Sequence, residues 1–306
     1  MLKFVLKFYK ILLPDAACAA MAGAQTPRDY AKFVNPFIGT GGHGHTFPGA
    51  TVPFGMVQLS PDTRVEGWDA CGGYHYSDKS ILGFSHTHLS GTGIADYGDI
   101  LIIPTVGNIE ARPQPMRFLH EHESASPGYY SVILEEDNIK AELTATARVG
   151  VHRYIFPKAP GANILIDLHH GLGPDRVIES SVQIVNTWEI AGMRRSAGWA
   201  KDQRIYFVAR LSKPAQGFGT IVNDTLRPRS RTATGKNVRA YVRFSTVENE
   251  DVIVKVGISS VSVENARKNL IAEVPEWNFD EIRTLAADAW NLEFNKIEVE
   301  SRDRDV

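Results

Sequence analysis

The chain has 306 residues, with 33 Lys plus Arg against 35 Asp plus Glu, a formal net charge of −2, and 43% hydrophobic residues. That composition fits a globular protein with a sizeable core. It holds no block of like charge, which argues against a nucleic-acid surface or a polybasic membrane patch.

Residues 1–24 carry Lys3, Lys7 and Lys10, then a small or apolar run from Leu12 to Ala24 interrupted by Pro14 and Asp15. Ala22-Gly23-Ala24 has the small-x-small form of a cleavage site, so the segment is expected to be an export signal, and the protein periplasmic or extracellular. No run approaches the ~20 apolar residues of a membrane span. Of the two cysteines, Cys18 is an alternative lipidation point and Cys71 would remain unpaired after cleavage.

Val34 to Asp62 packs six glycines and four prolines around His43 and His45. Glycines at 39, 41, 42 and 44 admit left-handed backbone or close approach, and a long loop with its own shape usually serves a site. A phosphate-cradling loop is not supported, because no Lys-Ser/Thr follows the glycines.

From Val52 to Ser259 the pattern is strands and turns. Expected strands are Val52–Leu59, Asp99–Ile103, Tyr129–Leu134, Ile139–Ala147, Val151–Phe156, Ala162–Leu168, Ser181–Trp188, Arg204–Leu211, Val238–Ser245 and Val252–Ile258. Ala141–Thr146 and Val238–Phe244 alternate apolar and polar with period two, which predicts antiparallel strands with one buried and one wet face. No helical period interrupts them, so residues 25–260 are expected to form a large antiparallel β-sandwich in an all-β class.

Residues 261–306 change character and predict linker helices. Ser262 can cap a first helix that runs to about Glu273 and stops at Pro275. A second should start near Asn278 or Asp280, with Phe279, Ile282, Leu285, Ala286, Ala289, Trp290 and Ile297 near helical spacing. That stripe must cover the sandwich or bridge to a following domain. The expectation is that it lacks a partner within the chain and leaves apolar surface exposed.

Four constellations could carry chemistry besides the first loop's shape. Trp68-Asp69 sits among glycines, as a sugar site requires: an indole face for the apolar side of a pyranose, and a carboxylate for its hydroxyls. Trp68 and Tyr74 could equally be core aromatics. His86 and His88 lie in Gly83–Gly93 and would share a strand face. Together with His43/His45, His120/His122 and Asp96 or Asp99 they suggest a zinc site, but the spacing is not diagnostic, and neutral imidazoles bonding sugar hydroxyls or a carbonyl fit better. His169-His170 reads as a satisfied pair at a strand end. Arg194-Arg195 with Trp199 could hold an anion or stack on a ring, although an exposed hairpin with solvated charges is preferred. There is no GxSxG, no HExxH and no CxxC, and no two carboxylates stand opposed by spacing alone, as glycoside hydrolysis needs.

At Val34–Asp62, Gly67-Trp68, Gly72–Tyr76, Ile81–Gly93, Asp96–Ile100, His152–Tyr154, Arg194–Trp199 and Lys255–Ala266, the sequence resembles glycoside hydrolase family 92, exo-acting bacterial α-mannosidases. The match runs from about Tyr30 to Glu300. The resemblance implies an N-terminal β-sandwich, linker helices and an (α/α)6 barrel, with calcium and inversion of the anomeric centre. In the family the acid and base carboxylates and most calcium ligands lie in the barrel, so no catalytic or metal residue is assigned in this chain. It also implies that the chain stops before the barrel and is poorly active alone. Trp68, Asp69, His86 and His88, with Gly42 and His43 nearby, would then help shape a pocket for mannose-containing glycans, with α-1,2-linked mannose as the expected substrate and the catalytic domain as the missing partner. A stand-alone, non-catalytic mannose-binding sandwich is the alternative.

Overall fold

The computed structural model describes residues 28–299. The export signal and Cys18 lie outside the described residues. No helix among the described residues is long and apolar enough to cross a membrane.

Period-two sequence builds two large sheets, and every strand pairing in them is antiparallel. The first sheet has eight strands in the order 50–51, 58–62, 83–85, 101–106, 159–167, 238–246, 217–222 and 225–228. The second has nine, in the order 232–235, 176–184, 189–197, 203–211, 250–259, 149–156, 139–145, 129–134 and 123–126. Register is fixed by the apolar set: Leu165 stands opposite Ile103 on one side and Tyr241 on the other. A one-residue slip would turn each of these strands inside out.

Between the sheets lies one core. Phe84, Ile102, Ile164 and Phe244 from the first sheet meet Leu143, Tyr154, Phe156 and Phe207 from the second. Phe156 and Phe244 pack edge to face across the gap, with centroids 5.7 Å apart at 89°, the geometry aromatic quadrupoles favour. Each such fully buried side chain contributes roughly 1.5–3 kcal/mol. The antiparallel β-sandwich of the sequence reading is the observed architecture.

The expected strands are corrected in several places. Val52–Leu59 is not one strand: Ala50–Thr51 and Gln58–Asp62 flank a turn. Ser181–Trp188 spans the end of Arg176–Ile184, and Glu189–Ala197 returns beside it. Gly217–Val222 is the longest of the other strands that the pattern does not mark; Gly83–Ser85, Glu123–Ser126, Thr225–Pro228 and Thr232–Gly235 are shorter ones.

The helices correct a second expectation. Helix α1 (Val263–Glu273) starts where the Ser262 hydroxyl accepts from the Asn265 N–H at 3.1 Å. Helix α2 (Phe279–Phe294) starts where the Asn278 side chain accepts from Glu281 N at 3.2 Å. Both fold back on the outer face of the nine-stranded sheet. Leu270, Val274, Phe279 and Ile282 pack there on Val149, Val151, Val208 and Ile253. Gly257 has no room for a side chain, since a Cβ would sit 2.5 Å from the Ala266 carbonyl. Part of the stripe therefore has a partner in the chain. Leu285 and Leu292 remain exposed.

The same covering removes the predicted wet face. Glu142 and Lys255 are buried, and Lys255 Nζ donates to the Val274 carbonyl at 2.9 Å, next to the end of α1. A buried charge needs such partners.

Candidate functional site

Three loops that flank the short strands at the edge of the eight-stranded sheet meet around Trp68. The first is the glycine-rich segment. Thr46 N bonds the Gly39 carbonyl at 3.2 Å, and Gly44 N bonds the Gly41 carbonyl at 3.2 Å. A Cβ on Gly44 would fall 2.0 Å from the Gly39 oxygen, so only glycine closes this turn. His45 itself takes a left-handed φ of 57°. The turn sends the rings of His43 and His45 toward the second loop.

That second loop is the short 3-10 turn Trp68–Ala70. Its Asp69 carboxylate meets His43 Nδ1 at 2.6 Å and His45 Nε2 at 3.2 Å, both on the same oxygen. The hydrogen bond from His43, with that from His45, holds the Asp69 carboxyl below its usual range. Trp68 leaves 62% of its surface exposed and packs against the His45 ring, centroids 4.9 Å apart at 77°. Cys71 is buried, and its thiol donates to the Trp68 carbonyl at 2.8 Å.

The third loop supports the other two. Gly91 N donates to the His45 carbonyl at 2.8 Å, and Gly93 lies flat under the indole, where a Cβ would come within 2.9 Å of it. Gly42 takes a positive φ of 59° and its carbonyl faces His75 Nε2 at 3.1 Å. Gly42, His43, Trp68 and Asp69 thus come together.

His86 and His88 do not join them on the surface. Both are buried. His86 Nδ1 bonds the Ile100 carbonyl at 2.7 Å and its Nε2 meets His152 Nε2 at 3.1 Å. Burial pulls its pKa down to about 4. His88 faces an acceptor at each nitrogen: the Gln58 carbonyl at 2.6 Å and Asp62 at 2.7 Å. Asp62 also meets His170 at 2.7 Å. Burial alone would raise the Asp62 pKa, but His88 and His170 outweigh it and hold the carboxyl far below the ordinary range. The His88 ring packs on Phe47 of the first loop, centroids 5.0 Å apart, so it supports the rim from beneath.

The imagined convergence of histidine pairs does not occur. His120 Nδ1 pairs with Glu123 at 2.8 Å and His122 Nδ1 with Glu135 at 2.9 Å. Asp96 and Asp99 are buried: Asp96 accepts from Ala200 N at 2.7 Å, and Asp99 from Thr87 Oγ1 at 2.6 Å and Arg194 Nη1 at 2.5 Å. Neither presents a carboxyl to an open cleft. Arg194 is not solvated; its other guanidinium arm pairs with Asp175. Trp199, five residues on, is exposed.

His45, which the sequence offers only as part of a metal constellation, and Gly93, which it does not offer, both pack on Trp68. The HxH spacing inside a glycine-rich loop was the available signal for His45; nothing local marked Gly93. The residues present do not fit a calcium site, which takes six to eight oxygen ligands. Among the described residues the group that gathers ligand atoms is His43, His45 and Asp69, with two nitrogen donors.

Comparison with known proteins follows the same outline. Residues 33–259 match the glycosyl hydrolase family 92 N-terminal domain, and 265–306 match that family's catalytic domain. A protein of Arthroderma benhamiae named "uncharacterized secreted glycosidase" is 26% identical, over 96% of this chain and 41% of its own length. A family GH92 α-mannosidase of Bacteroides thetaiotaomicron, solved with mannoimidazole, superposes with a TM-score of 0.85 at 36% identity, covering 90% of this chain and 38% of that one. A family GH92 inverting mannosidase of the same species, strain VPI-5482, gives 0.78 at 28% identity, covering 88% and 37%. The chain therefore spans about two fifths of the length of these relatives.

Proposed function

Because the chain belongs to glycosyl hydrolase family 92, we propose that its three-loop rim is one wall of a mannoside-binding cleft. Trp68 supplies the stacking platform. Asp69 and His43 supply the hydrogen-bonding edge, and Gly42 lets the backbone approach the sugar. His88 acts from below, holding the first loop through Phe47. The observation that carries this reading is an indole more than half exposed and standing beside a carboxylate that two imidazoles hold ionised. It lies in a domain that superposes on an α-mannosidase. An exposed aromatic beside a fixed polar edge suits a ring with one apolar and one hydroxylated side.

Inverting hydrolysis needs an acid and a base facing each other roughly 6.5–9.5 Å apart. Of the carboxylates weighed from sequence, Asp69 stands at the rim, while Asp96 and Asp99 are buried and engaged. In keeping with the family resemblance, we assign the acid and base, and most calcium ligands, to the family's catalytic domain, with α-1,2-linked mannose of glycans as substrate. Titration calorimetry of the 306-residue chain with α-1,2-mannobiose should show weak saturable binding, reduced at least ~10-fold by Trp68→Ala. Absence of heat at millimolar sugar would overturn the binding role. Strong turnover of an α-mannoside by the chain with calcium would overturn the assignment of the carboxylates.

A further inference from the structure

We propose that His43, His45 and Asp69 form a binding site for a divalent transition-metal ion of the zinc class. Two imidazole nitrogens and one carboxylate oxygen, one from each residue, lie within 4.8 Å of one another. His43 offers Nδ1 and His45 offers Nε2, at 2.6 and 3.2 Å from the same Asp69 oxygen. Ligands on a tetrahedral zinc sit at ~2.0–2.2 Å from the ion, so their atoms are about 3.4 Å apart, and the three donors need only small shifts. His43 can make that shift: its side chain is 79% exposed, while His45 is fixed beneath Trp68.

The donor set selects the class of ion. Two imidazoles and a carboxylate suit zinc and its neighbours, whereas calcium and magnesium require oxygens. Three protein ligands also leave one tetrahedral position open toward solvent, as in zinc sites that take a water or a ligand hydroxyl. A second observation is the backbone. His45, a non-glycine residue, is held at φ 57°, a sparsely populated conformation of the kind found at functional sites. The Gly44 turn enforces it.

The test uses the untagged chain stripped of metal with a chelator. Calorimetric titration with zinc should show one ion per chain, retained on dialysis, with a rise in melting temperature; calcium should neither bind there nor compete. His43→Ala, which removes an exposed ring and leaves the core intact, should lower zinc affinity more than ~100-fold, beyond what loss of an outer-shell partner costs. Asp69→Asn should do the same, and His120→Ala should leave binding unchanged. No saturable zinc binding, or binding that His43→Ala leaves intact, would overturn the proposal. Mannoside binding by the metal-free chain is a separate readout, so either reading can fail alone.

Discussion

A guanidinium with no exposed surface must find partners, because desolvating an ion costs several kcal/mol. Arg194 has two carboxylates: Asp99, which takes Nη1 at 2.5 Å, and Asp175; its Nε also donates to the Leu168 carbonyl at 3.2 Å. Asp99 follows Gly93, which packs on Trp68, by six residues, so the cluster fixes the chain just beyond that contact. Arg194→Leu should cost about 3–5 kcal/mol, since it strands buried carboxylates. Arg194→Lys should recover little, because one ammonium lacks the fork that spans two acceptors. Urea unfolding would measure both, and a loss below ~1 kcal/mol for Arg194→Leu would show that the cluster is not needed. Local sequence could not announce this site. The partners lie 95 and 19 residues away, and an arginine pair before Ser-Ala-Gly-Trp looks solvated when read alone. Trp68 and Asp69 were legible because their flanking glycines have a local meaning.

Strands and helices meet at Glu142. Its carboxylate accepts from Tyr129 Oη at 2.6 Å and Arg153 Nε at 2.7 Å. Arg153 then reaches Asp280 of α2 at 3.0 Å and lies 4.3 Å from the centre of the Phe279 ring. One carboxylate thus ties three neighbouring strands to α2. Burial would raise its pKa, but the hydrogen bonds from Arg153 and Tyr129 outweigh burial and hold it at about 2, below the ordinary 4.5. A depressed carboxylate stabilises the fold above its unfolded pKa and loses that contribution as pH falls through the folded one. The window is therefore pH 4.5 down to about 2, and the contribution at neutral pH is on the order of 3 kcal/mol. Glu142→Gln should be less stable than the parent at pH 7, and the gap should close between pH 4.5 and 2. Thermal melts across that range check it; a gap that stays constant would count against the linkage. Alternation showed where these strands run, and Ser262 and Asn278 marked where the helices start. Neither signal says what covers the outer face, so Glu142 reads as wet and nothing marks Lys255 as buried. Their pairing is visible only once α1 and α2 are docked.

At the scale of the molecule, docking the helices leaves apolar surface outside. Phe54 is 93% exposed, and Phe33, Ile38 and Leu292 are also open to solvent. Phe54 stands between two hollows: a groove of about 450 Å³ that it shares with Val34, Phe47, Trp290 and Phe294, and a second lined by Ile282, Leu285 and Leu292. The groove is built rather than frayed. Trp290 stacks on Phe294, centroids 5.5 Å apart, and its Nε1 donates to the Thr51 carbonyl at 2.7 Å, which pins α2 to the edge of the eight-stranded sheet. A rigid apolar face of this kind is what an interface presents. It lies on α2, inside the segment that matches the family's catalytic domain, so a face of that domain is the occupant we expect. The 306-residue chain by itself should then bind a hydrophobic dye and self-associate at ~100 μM. Phe54→Ser combined with Leu292→Ser should suppress both with little change in melting temperature, because both side chains are mostly exposed and surface substitutions usually cost within ±0.5 kcal/mol. Sedimentation velocity decides it: a monodisperse monomer that binds no dye would mean that the face needs no partner.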